Sequence, residues 1–230
     1  MEIKKKEIEM SSFVGRVLRD NFGRGPGNVF CSFTNPFIVF HITNFLSPME
    51  MTLMTNDKAF FVHKTRDLMM ETLLSEIESQ IELTVEKKVI EFYYDWNLEA
   101  KTCMFLAVTK DIEMASEGQT NGYANEEKVN QEMIQVSKEV EKPPGEISSL
   151  MLNPRTLIFI RKKILVPIEK ELIHLGCEET LKIAKRNLEK RFLNLHVNNF
   201  DEYLNVRVTD YFVDWNFEED KSYTLFMLKP

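Results

Sequence analysis

The sequence predicts an α+β protein built as a tandem repeat of two similar two-layer α/β sandwiches. The first observation behind this prediction is a repeated segment. FYYDWNLE at 92–99 returns as YFVDWNFE at 211–218, which places the only two tryptophans, Trp96 and Trp215, 119 positions apart. The second is that each copy contains two pairs of β-rich runs joined by short turns, which must pair as antiparallel hairpins. The expected order of elements in each copy is therefore α-β-β-α-α-β-β.

Turn-forming residues support the duplication because they recur at nearly the same spacing. The recurring positions, at spacings of 118 or 119, are Pro26-Gly27 with Pro144-Gly145, Asn35-Pro36 with Asn153-Pro154, and Pro48 with Pro167. A single one-residue insertion reconciles the two spacings. We predict a first repeat at 1–110, a linker at 111–124 and a second repeat at 125–230, each repeat large enough for its own core.

Each copy is predicted to open with an amphipathic helix and a hairpin. Apolar residues recur at helical spacing over 6–22 and again over 129–140, and Gly23 can adopt the left-handed conformation that closes a helix. The hairpin follows because Asn35-Pro36, a turn signal, separates the β-rich runs at 29–34 and 37–46.

A short helix is predicted to start at Ser47 and to end near Asn56. Ser47 suits the N-cap, Pro48 the first helical position, and Glu50 the position that completes a capping box. The second copy keeps the proline and the glutamate but has Val166 at the cap. Because valine offers no acceptor, that helix should lose about 1 kcal/mol of local stability.

A long helix and a second hairpin complete each copy. The helix is expected at about 58–83 and 178–197, and the strands at 87–96 and 102–109, then 204–215 and 222–228. The residues predicted to face the core are Met69, Leu73, Ile77 and Ile81 in the first long helix, Leu181, Ala184, Leu188, Phe192 and Leu195 in the second, and Ile90, Phe92, Tyr94 and Trp96 in the strand after the first.

Composition and charge argue against several functional classes. Of the net charge of −7, −5 lies at residues 111–127, and neither copy is basic enough to indicate nucleic-acid binding. Cys31, Cys103 and Cys177 lie far apart and in no paired motif, which is typical of a reducing, cytoplasmic compartment. No apolar run reaches the roughly 18 residues of a membrane-spanning helix, and the N-terminus lacks the apolar core of a signal peptide.

Three features together resemble the MpsC-like family, a former domain of unknown function named for a Na+-translocating, membrane-potential-generating system. They are Gly23-Arg24-Gly25-Pro26 ahead of a hairpin, the helix start Leu46-Ser47-Pro48-Met49-Glu50, and a long helix bearing Arg66. The second copy has Lys142-Pro143-Pro144-Gly145 in place of the first feature. Single-copy members are usual in the family, so the resemblance implies that this chain is a fused pair. It supplies no catalytic residues.

The loop at 23–27 is the first candidate site. Backbone N–H groups at Gly23, Arg24, Gly25 and Gly27 could form an anion-binding concavity with Arg24 as its charged arm, suited to phosphate, carboxylate or bicarbonate. A phosphate loop normally leads into a helix, whereas this one leads into a strand. The alternative is a purely conformational turn in which the glycines supply positive φ.

The repeated strand ends are the second candidate site, as a pocket or an interface. Their residues are Asp95, Trp96 and Asn97 in the first copy and Asp214, Trp215 and Asn216 in the second. Paired carboxylates could perform acid–base work. The structural alternative makes the tryptophans core or interface anchors and lets the Asx side chains close the turns.

The remaining polar residues predict no metal site, cofactor or catalytic group. The four histidines, His41, His63, His174 and His196, show no ligand spacing. Basic residues predict a basic outer face on the second long helix: Lys182, Lys185, Arg186, Lys190 and Arg191. Solvent exposure is the default interpretation of that face, and selection of a packing partner is the alternative.

The expected function is that of a non-catalytic, cytoplasmic interaction or regulatory protein whose two copies pack as a pseudo-symmetric pair. The resemblance implies an accessory component of an ion or bicarbonate transport or membrane-potential system, with a membrane transport subunit as the candidate protein partner. Homo-oligomerisation is left open, and no nucleic acid or membrane-spanning segment is expected. The alternative is a small-anion or nucleotide sensor or enzyme that uses Arg24 and the loop at 23–27.

Overall fold

The computed structural model describes residues 2–110 and 122–229 and divides into two compact units, Met1–Ser116 (unit 1) and Glu117–Pro230 (unit 2). Most of the predicted linker, 111–124, lies outside the described residues. The elements of unit 1 are α1 (Glu2–Phe22), β1 (Asn28–Thr34), β2 (Phe37–Thr43), α2 (Pro48–Thr55), α3 (Ala59–Val85), β3 (Val89–Asn97) and β4 (Thr102–Thr109). The elements of unit 2 are α4 (Glu126–Val140), β5 (Glu146–Asn153), β6 (Thr156–Lys162), α5 (Pro167–His174), α6 (Glu178–Leu204), β7 (Arg207–Asn216) and β8 (Lys221–Lys229).

The two units have the same topology, which confirms the predicted tandem α+β fold. Each contains a four-stranded antiparallel sheet, in the order β1-β2-β4-β3 and β5-β6-β8-β7. The strand registers also agree, since Phe40 lies opposite Phe105 and Phe159 lies opposite Thr224, each 119 positions later. In each unit the first and long helices pack together, and their buried residues join those of the strands in one core cluster.

Two local differences, rather than one insertion, account for the two repeat spacings. The segment from Phe22 to Gly27 is one residue longer than the corresponding segment from Glu141 to Gly145. The loops themselves have equal length, because α1 continues one residue further than α4. The β5–β6 hairpin regains that residue through an irregularity between Met151 and Asn153. Asn153 therefore occupies the paired position of Thr34, and the two Asn-Pro dipeptides are not structurally equivalent.

The short helices begin as predicted. Both halves of the capping box are present in α2, where Glu50 N–H donates to Ser47 Oγ at 3.3 Å and Ser47 N–H donates to Glu50 Oε2 at 2.7 Å. In α5 only the second half has an equivalent, from Val166 N–H to Glu169 Oε2 at 2.9 Å.

The strand β3 departs from the predicted alternation at its first residues. Ile90 was expected in the core but is 54% exposed, while Val89 is buried and belongs to the core cluster. The cause is a register shift between Val89 and Glu91, which reverses the faces of the strand at that point. Beyond it, Phe92, Tyr94 and Trp96 contact the core as predicted.

The long helices differ in the chemistry of their buried faces. In α3 three of the four predicted core residues, Leu73, Ile77 and Ile81, are buried, but Met69 is only half-buried and Met70 is buried beside it. In α6 Leu181 is buried and Phe192 packs against the core, but the rest of the predicted stripe is wrong, because Leu195 is 69% exposed, Ala184 is exposed and Leu188 is half-buried. The buried positions of α6 are Leu181, Ile183, Lys185, Arg186, Glu189, Leu193 and Phe200. The expected basic outer face is wrong for the same reason, since two of its members are buried.

Candidate functional site

Arg66 of α3 is buried among aromatic rings in unit 1. Only 1% of its surface is exposed. Its guanidinium carbon lies 4.3 Å from the ring centroid of Phe22, 4.2 Å from that of Phe45 and 4.9 Å from that of Trp96. Cations at such distances over aromatic faces are attracted by the ring quadrupole. The tryptophan is therefore one wall of a cation box.

Glu50 neutralises Arg66 through two contacts. Arg66 Nη2 donates a hydrogen bond to Glu50 Oε2 at 2.8 Å, and Arg66 Nε lies 2.6 Å from Glu50 Oε1 in an ion pair. Burial alone would raise the pKa of Glu50, but Arg66 and the cap groups of Ser47 lower it below its usual range. Because Glu50 also caps α2, one carboxylate fixes the short helix against the long one.

Unit 2 places Lys185 where unit 1 has Arg66, 119 positions later. Lys185 is 3% exposed, and its Nζ lies 2.5 Å from Glu169 Oε1 and 5.5 Å from the Trp215 ring centroid. A second carboxylate, Glu141, forms an ion pair with the same ammonium. Glu141 occupies the position of Phe22, so a carboxylate replaces an aromatic wall of the box.

Glu141 is the most strongly perturbed carboxyl of this cluster. Its pKa is raised from 4.5 to about 7, because burial outweighs the opposing effect of Lys185 and because the charges of Glu189 and Glu169 add to the upward shift. Its side chain is 13% exposed and lines a small cleft together with Arg161, Glu189 and Trp215. An ionisable group that titrates near neutrality in a cleft is a candidate functional group.

A second buried ion pair lies beside Lys185. Arg161 of β6 pairs with Glu189 of α6, and each side chain is 3% exposed. Arg161 Nη1 also donates to Ser137 Oγ at 3.1 Å, and Nη2 donates to Thr224 Oγ1 at 3.1 Å. The corresponding positions in unit 1 are buried and apolar: Ile42, Met70, Leu18 and Phe105.

His196 extends the charged contact along α4 and α6. Its Nδ1 lies 2.6 Å from Glu132 Oε1 and its Nε2 lies 3.2 Å from Glu139 Oε2. Burial would lower the pKa of His196, but the two carboxylates raise it above its usual value. The corresponding positions in unit 1 include Phe13 and Ile77, which pack in the core.

We call this set the polar seam, because it joins the first and long helices of unit 2 through charged groups. Its residues are Glu132, Ser137, Glu139, Glu141, Arg161, Lys185, Glu189, His196 and Thr224. The apolar seam of unit 1 consists of Phe13, Leu18, Phe22, Ile42, Met70, Ile77 and Phe105. The polar seam was not predicted from the sequence, although Arg66 and Lys185, and Glu50 and Glu169, share the 119-residue spacing of the tryptophans.

The predicted anion loop has internal partners. Gly23 has φ +69° and lies directly after α1, as expected for a helix-closing glycine. Arg24 Nη1 donates to Leu46 O at 3.1 Å, and Gly27 N–H donates to Thr43 O at 2.8 Å. A Cβ at Gly25 would lie 2.8 Å from Arg19 Nε. These contacts join the loop to the segment between β2 and α2.

The repeated strand ends divide between two faces of each sheet. Trp96 and Trp215 belong to the core clusters beneath the helices. Asp95 and Asp214, at 0% and 1% exposure, precede them on the strand and therefore point to the opposite face. Asp214 Oδ1 pairs with Lys182 Nζ at 2.7 Å.

The asparagines of the same strand ends close the following turns. Asn97 Oδ1 accepts a hydrogen bond from Ala100 N–H at 3.1 Å, and Asn216 Oδ1 accepts one from Glu219 N–H at 3.0 Å. This geometry agrees with the structural alternative for these side chains. Within 2–110 and 122–229, no group of three or more His, Cys, Asp or Glu residues is arranged to hold a metal ion.

Topology and buried charge together define a tandem α+β protein in which one module is present twice with different core chemistry. The family model described as "Na+-translocating membrane potential-generating system (MpsC)" matches residues 2–111 and 123–230. The chain therefore belongs to this family, as two tandem copies. No curated protein and no solved structure matches it significantly. Among the helices of the described part of the chain, none has the length and apolar character needed to cross a bilayer.

Proposed function

We propose that this chain is a cytoplasmic, non-catalytic regulatory protein that binds a membrane subunit of the ion-transport system for which its family is named. The observation that carries the proposal is the contrast between the two seams. Unit 1 joins its helices through an apolar seam, whereas unit 2 joins the same helices through ionisable groups. Such a pair suits a protein in which one module is a fixed scaffold and the other responds to protons or to a charged partner.

The contacts of the polar seam support a regulatory role over a catalytic one. Each of its buried cations is paired with a carboxylate of the same unit, at Arg161 with Glu189 and at Lys185 with Glu169 and Glu141. Such buried ion pairs contribute little net free energy to folding, but removal of one partner is strongly destabilising because it leaves the other charge buried and unpaired. A change at one residue of the polar seam is therefore felt by its partners. Burial, followed by the charge of Glu7, raises the pKa of Cys31, which disfavours its use as a thiolate nucleophile.

A membrane-potential assay in the native host tests this proposal. The gene is deleted, and the potential is followed with a voltage-sensitive dye in media with and without Na+. The expected result is a lowered, Na+-dependent potential that is restored by the wild-type chain. Lys185→Met, which leaves Glu141 and Glu169 without their cation, should restore it poorly.

The control variant and the partner search complete the test. Lys138→Met, a substitution outside the seam on α4, should restore the potential as well as the wild type. Cross-linking followed by purification should recover a transport subunit whose yield falls with Lys185→Met. An unchanged potential in the deletion strain, or equal recovery with both variants, would contradict the proposal.

A further inference from the structure

A cleft of about 240 Å³ lies at one end of the sheet of unit 1. It is bounded by the start of α1, by the β1–β2 turn and by the segment where α3 passes into β3. The lining residues are Ile3, Lys6, Phe33, Asn35, Pro36, Phe37, Ile38, Val85, Lys87 and Thr109. None of them belongs to the apolar seam or to the cation box of Arg66. The cleft is therefore a separate feature of unit 1.

The lining of the cleft is mostly apolar. Phe37 and Ile38 are 5% and 3% exposed, and Phe33 and Val85 are half-buried at its sides. An apolar group in the cleft would be removed from water on several sides, and its binding would be favoured in proportion to the apolar area that is buried. The volume is below the 300–1,000 Å³ that is typical of pockets for drug-sized molecules, so a fitting ligand is small.

Two lysines give the cleft a positive wall. Lys6 extends from α1, and Lys87 follows α3, where its Nζ donates to Asn35 Oδ1 at 2.6 Å. An ammonium group has three donors, so it can hold an amide oxygen and a carboxylate together. Glu7, which follows Lys6 on α1, accepts a hydrogen bond from Phe33 N–H at 3.1 Å. Further bases lie along the same segments at Lys4, Lys5, Lys88 and Lys110.

From this combination we propose that the cleft binds a small carboxylate with a short apolar tail. The tail packs against the apolar residues that line the cleft, and the carboxylate accepts hydrogen bonds from Lys6 and Lys87. Charge-assisted hydrogen bonds of this type are shorter and stronger than neutral ones, so a neutral molecule of the same shape binds more weakly. This inference goes beyond the regulatory function proposed above and does not depend on it.

Unit 2 is a natural control for the site. At the positions 119 residues after Lys6 and Lys87 it carries Asn125 and Val206, so both cations are absent there. Asn125 is the N-cap residue of α4, and its Nδ2 donates to Tyr203 O at 2.9 Å. Unit 2 thus lacks this pair of lysines, and the cation at its sheet end, Arg155, stands instead at the position of the turn residue Pro36. The carboxylate site formed by the two lysines is therefore expected in unit 1 alone.

Titration of the isotope-labelled full chain with hexanoate, followed by NMR, tests the proposal. Hexanoate should shift the amide signals of Ile38 and Thr109 but not those of Leu157 and Leu228, their counterparts in unit 2. Hexanamide, the neutral analogue, should bind with an affinity at least about tenfold lower, because it cannot form charge-assisted hydrogen bonds with the lysines. The double variant Lys6→Met and Lys87→Met should weaken hexanoate binding by at least about tenfold.

Two further variants separate a lost site from a damaged fold. Lys88→Met removes an exposed lysine that does not line the cleft and should leave hexanoate binding unchanged. Lys87→Arg keeps the charge and should retain binding. If the circular dichroism spectrum shows that the double variant is unfolded, the single variant Lys6→Met serves as the test. The proposal requires that this variant still binds hexanoate more weakly than the wild type. The proposal is overturned by equal affinity for hexanamide, by shifts that map elsewhere, or by no saturable shift.

Discussion

Unit 1 and unit 2 share one topology but join their first and long helices by opposite chemistry. Seven equivalent positions, each 119 residues apart, change from apolar in unit 1 to polar in unit 2. They are Phe13 and Glu132, Leu18 and Ser137, Phe22 and Glu141, Ile42 and Arg161, Met70 and Glu189, Ile77 and His196, and Phe105 and Thr224. The comparison teaches that this fold accepts a charged interior when the changes are mutual, because every buried charge then meets its partner.

The largest expected effect comes from breaking one buried pair of the polar seam. Glu189→Ala leaves the Arg161 guanidinium buried without its carboxylate, which should destabilise unit 2 by about 3–5 kcal/mol. Hydrogen-exchange mass spectrometry in increasing denaturant reads the two units separately and would measure this loss. The matched change in unit 1, Met70→Leu, conserves volume and should cost less than about 1.5 kcal/mol. Equal losses of unfolding free energy for Glu189→Ala in unit 2 and Met70→Leu in unit 1 would show that the Arg161–Glu189 pair contributes no more than an ordinary apolar contact.

Replacing the whole polar quartet by its apolar counterpart should have the opposite sign. The variant carries Ser137→Leu, Arg161→Ile, Glu189→Met and Thr224→Phe, which reproduces the residues found in unit 1. Buried ion pairs are often exchanged for packed apolar residues with a gain of about 1–4 kcal/mol. Denaturant unfolding of unit 2 would show the gain as a higher midpoint at unchanged slope. A stability loss comparable to that of Glu189→Ala would mean that the two seams are not interchangeable.

The pH dependence of the two units should differ through Glu141. Its folded pKa of about 7 lies above the ordinary value of 4.5, so the folded state binds the proton more tightly than the unfolded state. The stabilisation from this group is therefore complete below about pH 4.5 and is lost as the pH rises towards 7 and above.

Glu141→Gln removes this titration and tests the sign. The stability of unit 2 relative to wild type should rise between pH 5 and pH 8 by on the order of 2 kcal/mol. Denaturant unfolding at a series of pH values measures the difference. Glu127→Gln, an exposed substitution on the same helix, should leave the pH dependence of wild type in place. If the unfolding free energy of Glu141→Gln changed with pH as much as that of the wild type, the titration would not belong to Glu141.

The smallest expected effect concerns the loop at 23–27. Arg24→Ala removes the hydrogen bond to Leu46 O and should cost about 1 kcal/mol, whereas Lys142→Ala, at the equivalent loop of unit 2, should cost less. Thermal-shift measurements with phosphate, bicarbonate and nucleotides should show no ligand-dependent rise in melting temperature. A rise that Arg24→Ala abolishes would instead support the anion site predicted at Gly23, Arg24, Gly25 and Gly27.

Most of the fold could be predicted because the duplication presents most local signals twice. The hairpin turns and the strand ends at Trp96 and Trp215 are features of short segments that recur in both copies, and the Ser47 cap is a local signal of the first copy. The register shift between Val89 and Glu91 also recurs, between Val208 and Asp210, but no residue type signals it, so the face of Ile90 was assigned wrongly.

The charged core could not be predicted from the pattern of α6 alone. Periodicity places charged residues in solvent, and Lys185, Glu189 and His196 occupy the positions that face the core. Their burial is possible only because Glu141, Arg161 and Glu132 are brought to them from other elements by the tertiary fold. The predicted stripe of α3 projects by the repeat spacing onto His196 only, whereas the buried positions that the structure shows in α3, Arg66, Met70 and Ile77, project onto all three.

Carrying both modules on one polypeptide has an evolutionary consequence. In an assembly of two identical chains, each mutation occurs in both partners, so an arginine at the place of Ile42 would enter both cores. In this protein Ile42 and Arg161 are encoded separately, so a mutation in one copy leaves the other copy unchanged. Fusion thus permits a division of labour that a symmetric assembly of one gene product cannot inherit.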